Sequence, residues 1–133
     1  MNKEEKELLF KDFCARLPYE VKVKFYDHWV DEYEIIPLTA KLLSDTVYIG
    51  DIRPYLFPLS SMTKEQKKEL NNIGWYFDND TISNSETYYS EDTDYITHTN
   101  CYSLIDWLIR NHFDFRGLIE KGLALDATGL NIY

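Results

Sequence analysis

The sequence predicts a single α+β domain, residues 1 to 133, in which a short antiparallel β-meander over residues 20 to 50 packs against about three helices. Three observations lead there. Apolar residues recur at helical spacing in two segments with a capping-box spacing marking a third helix between them, a period-two alternation follows the first, and 44% of the 133 residues are hydrophobic. A chain of this length can bury a real core without metal or disulfide support. No internal repeat or linker divides it.

Residues 3 to 16 are rich in Glu, Lys and Leu, and Leu9, Phe10, Phe13, Cys14 and Leu17 share one helical face that ends at Pro18. Val21, Val23 and Phe25 then alternate with Lys22, Lys24 and Tyr26, the period of a half-buried strand. Asp31-Glu32 and Ser44-Asp45 read as turns. They separate extended runs over 33 to 43 and 46 to 49, with Pro37 at an edge or a bulge. Pro54 and Pro58 make residues 52 to 61 an irregular crossover. Thr63 and Gln66 have the spacing of a capping box, which starts a second helix running to about Asn72. Residues 74 to 100 are acidic and aromatic, and a disordered loop rarely carries so many rings, so part of this stretch is expected to pack or to form strand. A third helix from about Cys101 to Asn111 turns Cys101, Leu104, Ile105 and Leu108 inward. The apolar tail, with Leu118, Ile119, Leu123, Leu125, Leu130 and Ile132, folds back on the core.

The net charge of −9 is unevenly spread, because residues 69 to 109 hold eight Asp/Glu and no Lys/Arg. Such a field repels phosphate, so direct nucleic-acid binding is not expected; a basic protein partner is attracted. No stretch approaches the ~18 apolar residues that cross a membrane, and residues 1 to 7 lack the apolar core of a secretory signal. The expected location is the cytoplasm. Cys14 and Cys101 lie 87 positions apart, form no zinc spacing or disulfide framework, and read as reduced thiols in the core.

His112, Asp114 and Arg116 alternate with Phe113 and Phe115 and share a face if the chain is extended there. A carboxylate can orient an imidazole and a guanidinium can hold an anion, so these three are candidate ligand-binding residues. The simpler reading has His112 capping a helix end while Asp114 and Arg116 pair with each other. Asp78, Asp80, Glu86, Glu91, Asp92 and Asp94 offer oxygens for calcium or magnesium. However, Ile82 takes the next ligand position and no Gly follows, so a solvated acidic face is the better reading. His28, His98 and His112 show no HxxxH spacing, and GxGxxG, GxxxxGK and GxSxG are all missing. No metal, no cofactor and no catalytic residue is therefore expected. The most distinctive candidate is a partner-binding surface formed by Tyr88, Tyr89, Glu91, Asp92, Asp94 and Tyr95, in which rings supply contact area and carboxylates speed encounter.

At IRPYLFPLSSMTKEQKKEL (52 to 70) and WLIRNHFDFRGLIEKGLALDATG (107 to 129) the sequence resembles a group of small proteins encoded by Bacteroides-type gut bacteria, their prophages and their phages. KDFCARLPYEVKVKF (11 to 25) extends the resemblance to nearly half of the chain. That family brings no biochemical assignment, hence no site residue, but it implies a mobile-element product acting inside the bacterial cell. Residues 78 to 99 lie outside it. The expected function is a non-enzymatic binding or accessory protein engaging a protein partner, with a homo-oligomer compatible. The alternatives are a protein that sequesters a nucleotide signal of host defence through Arg53, Arg110 or Arg116, and an enzyme using His112 and Asp114.

Overall fold

The computed structural model describes residues 2–44, 52–78, 81–83 and 93–133, without the side chains of 93–101. Helix α1 spans Lys3–Arg16 and runs into a 3-10 turn at Leu17–Tyr19. Strands β1 (Lys22–Asp27) and β2 (Glu32–Pro37) form a hairpin, followed by a short helix α2 (Ala40–Ser44) and strand β3 (Arg53–Pro58). After a second 3-10 turn, Leu59–Ser61, come α3 (Lys64–Asn72), β4 (Tyr76–Asp78), β5 (Thr81–Ser83), α4 (Thr93–Arg110), β6 (Phe113–Asp114) and β7 (Leu125–Asp126). The architecture is α+β. Its main sheet is mixed: the order is β2-β1-β3-β6, with β7 also on β3, and β4-β5 makes a separate hairpin.

The sheet departs from a simple meander. The extended run expected over 33 to 43 stops at Pro37 and is followed by α2, while the run expected at 46 to 49 lies outside the described residues. The third strand is β3, within the segment whose prolines suggested an irregular crossover. It lies beside β1, at Val23↔Pro54 and Lys24↔Arg53, so β1 rather than β2 is central. Both prolines sit near the ends of β3, where a missing N–H is tolerated. Between them Phe57 N–H donates to the His112 carbonyl and the Leu56 carbonyl accepts from Ala127 N–H, both at 2.8 Å. The pairs of β3 with β6 and β7 are parallel.

Two apolar clusters flank β3, since adjacent strand residues point to opposite faces. Leu56 joins Leu9, Phe13, Val21, Val23, Ile52 and Leu118 in one. Phe57 packs against the other, which holds Leu70, Trp75, Leu104, Trp107, Leu108 and Phe113. Each fully buried Leu or Phe contributes about 1.5–3 kcal/mol relative to exposure. Helix α1 turns Leu9, Asp12, Phe13 and Arg16 inward, so its buried face is displaced from the expected stripe. Phe10 and Cys14 are exposed, and Cys14 is therefore not a core thiol. The starts of α1 and α3 carry reciprocal capping boxes, Thr63 with Gln66 as expected and Asn2 with Glu5 in addition. Helix α4 begins at Thr93, earlier than the expected start near Cys101.

Candidate functional site

The hairpin β1–β2 leaves the core at its far end. Its register runs from Lys22↔Pro37 to Asp27↔Glu32. Leu38 N–H donates to the Val21 carbonyl at 2.8 Å. Bonded and non-bonded pairs alternate along an antiparallel ladder, so the bonded pairs are Val23–Ile36, Phe25–Glu34 and Asp27–Glu32. Tyr33 and Ile35 therefore turn their own N–H and C=O away from β1. Pro37 belongs to the same outward set, which is where its missing N–H costs no ladder bond.

Side chains follow the same parity. Val23, Phe25 and Ile36 pack on the first cluster, whereas Tyr26, Tyr33 and Ile35 lie on the opposite face with Lys24. The Tyr26 ring meets Tyr33 at 5.0 Å and His28 at 4.8 Å, both edge-on, and Lys24 Nζ stands 4.4 Å from the Tyr33 ring centre. At the tip, Asp27 Oδ1 accepts from Trp29 N–H at 2.9 Å and Asp31 adopts φ +55°, closing the loop. Trp29 is 97% exposed, and Val30, Tyr33 and Ile35 are 54%, 61% and 47% exposed. A group of neighbouring exposed apolar side chains of this kind marks an interaction surface more often than scattered ones do. From Lys24 to Lys41 the chain holds Asp27, Asp31, Glu32 and Glu34 with no Lys or Arg between, and none of the four forms an ion pair among the described residues.

His112, Asp114 and Arg116 are committed to separate partners. Asp114 is buried, and its two oxygens accept from Leu118 and Ile119 N–H at 2.9 Å each, fixing the turn that follows. Arg116 does not pair with Asp114. Its Nε donates to Asp12 Oδ1 at 3.0 Å, while Asp12 Oδ2 accepts from Arg16 Nε at 2.8 Å and Arg16 Nη2 donates to the Phe113 carbonyl at 2.7 Å. His112 sits in the turn after α4 with φ +62°, its ring stacked on Tyr133 at 3.8 Å. Burial, with Arg16 nearby, lowers its pKa to about 4. Its Nδ1 is buried without a hydrogen-bond partner among the described residues.

A groove of about 430 Å³ between α3 and α4 is lined by Glu69, Asn72, Ile73, Trp107, Arg110 and Asn111. Trp107 Nε1 donates to Glu69 at 3.3 Å along one wall. Tyr88, Tyr89, Glu91 and Asp92 lie outside the described residues; Asp94 and Tyr95 fall on the first turn of α4, with side chains outside the description. Among the described residues, no helix is long and apolar enough to cross a membrane, and no three His, Cys, Asp or Glu side chains are placed to hold a metal ion. No family model, curated protein or solved structure matches the chain.

The hairpin surface was not singled out from sequence, although a signal for it exists. Charges occur on both strand parities, Lys22 and Lys24 on one face and Asp27, Glu32 and Glu34 on the other. A hairpin with charge on both faces has no side to bury along its outer half.

Proposed function

We propose that this chain is a non-enzymatic binding protein that engages a basic protein partner through acidic and aromatic surface. One observation carries the reading: Trp29, almost fully exposed, heads a row of solvent-facing apolar side chains edged by carboxylates that form no ion pair among the described residues. The acidic stretch with Tyr88, Tyr89, Glu91, Asp92, Asp94 and Tyr95 extends the same chemistry along the chain. The family resemblance of residues 11 to 25, 52 to 70 and 107 to 129 supports a mobile-element accessory role in the cytoplasm of a bacterial host.

Affinity capture from a Bacteroides-type lysate at low and high salt tests the reading. The intact chain retains a partner that weakens with salt, and a Trp29→Ala, Tyr33→Ala variant loses it. Neutralising Glu91, Asp92 and Asp94 lowers capture and its salt sensitivity together. A bait profile unchanged by all of these substitutions overturns the proposal.

A second reading, sequestration of an anionic small molecule such as a nucleotide, is favoured by Arg110 beside Trp107 in the groove between α3 and α4. Heating the purified protein then releases a nucleotide. A nucleotide-free supernatant, together with no binding of added nucleotides, removes it. The enzymatic reading loses support because both Asp114 oxygens already accept backbone N–H groups.

A further inference from the structure

We propose that the outer edge of β2 is a strand-addition site, which takes an extended partner segment alternating basic and apolar residues. This inference rests on the reading of the chain as a protein-binding module and specifies how the partner is held. Among the described residues strand β2 is terminal in the sheet order, and Tyr33 and Ile35 direct their N–H and C=O groups outward along that edge. An exposed edge of this kind pairs with another extended chain through main-chain bonds, while alternate side chains give specificity. Here the two faces differ. Glu32 and Glu34 present carboxylates on one, and Tyr33 and Ile35 present apolar surface on the other. A segment lying along β2 therefore meets acid on one side and apolar surface on the other in strict alternation.

A second copy of this chain fits the edge poorly. Antiparallel registers that set Tyr33 opposite Tyr33 or Ile35 bring glutamate directly against glutamate, which is destabilising. Sliding the pair towards Pro37 spends a ladder position on a residue without an N–H. The charge pattern and Pro37 thus disfavour antiparallel self-pairing, the carboxylates select a basic strand, and the exposed Trp29 and Val30 at the tip lie where that strand would end.

The test uses the full chain and blocked hexapeptides that alternate lysine with valine or glutamate with valine. The lysine peptide binds, protects the Tyr33 and Ile35 amides from hydrogen exchange, and loses at least about tenfold in affinity when one alternate set of its residues is N-methylated but not the other. Ile35→Pro removes an outward N–H that β1 does not use and weakens binding similarly. Should that variant fail to fold, the pair Glu32→Lys, Glu34→Lys decides, because it must switch preference to the glutamate peptide. Equal binding of both peptides, equal effects of both methylation patterns, or protection confined to other amides overturns strand addition. A natural partner that depends on Trp29 but tolerates Ile35→Pro overturns it too, while leaving the binding-protein reading intact.

Discussion

Asp12 and Arg16 lie one helical turn apart on the inward face of α1, and both are fully buried. Replacing Asp12 by Ala leaves Arg16 without its counter-charge and frees Arg116, which should cost about 3–5 kcal/mol. Urea unfolding measures this as a fall in midpoint at unchanged slope. His112 is held neutral in the fold, with a pKa near 4 against an ordinary 6.5. The unfolded chain takes up that proton more readily, so the contribution of His112 is fully present above pH 6.5 and declines as pH falls towards 4. His112→Asn, which tolerates the positive φ, should flatten that segment of the stability–pH curve relative to the intact chain. Residue identity exposed the alternation of His112, Asp114 and Arg116, but not their commitments. Arg116 finds its partner 104 positions away, and no local spacing encodes that.

Elements were legible where their signals are local. The cap of α3 follows from side-chain hydrogen bonding within one turn, and its end at Asn72 is followed by Gly74 at φ +92°. Thr63→Ala should cost about 1 kcal/mol in thermal or urea unfolding, and Thr63→Gly less. Strand β3 was hidden because proline signals a break wherever strand length is unknown. Only the ladder places Pro54 and Pro58 near the ends of the run. The inward face of α1 was displaced by a buried ion pair, whose polar residues carry no hydrophobic signal. The hairpin tip gives the sharpest contrast between stability and binding. Trp29→Ala removes no buried contact and should change stability by no more than about 0.5 kcal/mol, while abolishing partner capture. Unfolding curves and capture assays on the same sample check the separation.

For the molecule as a whole, Tyr133 ties distant parts of the chain. Its hydroxyl accepts from Lys22 N–H at 2.8 Å and donates to the Tyr55 carbonyl at 2.7 Å, while its ring packs on His112 and Phe57. Burial pushes its pKa up to about 12, so the hydroxyl keeps its proton throughout the neutral range. Tyr133→Phe strands two backbone groups and should cost about 1–3 kcal/mol in urea unfolding. By itself the sequence determined the α+β class, the starts of α1 and α3, the half-buried strand at 21 to 26 and the uneven negative charge, because propensity, capping and periodicity act over a few residues. The tertiary structure alone decided strand order, the buried Asp12–Arg16–Arg116 network and which hairpin face meets solvent. Those depend on contacts across tens of residues, whose free energy appears only when separate elements come together.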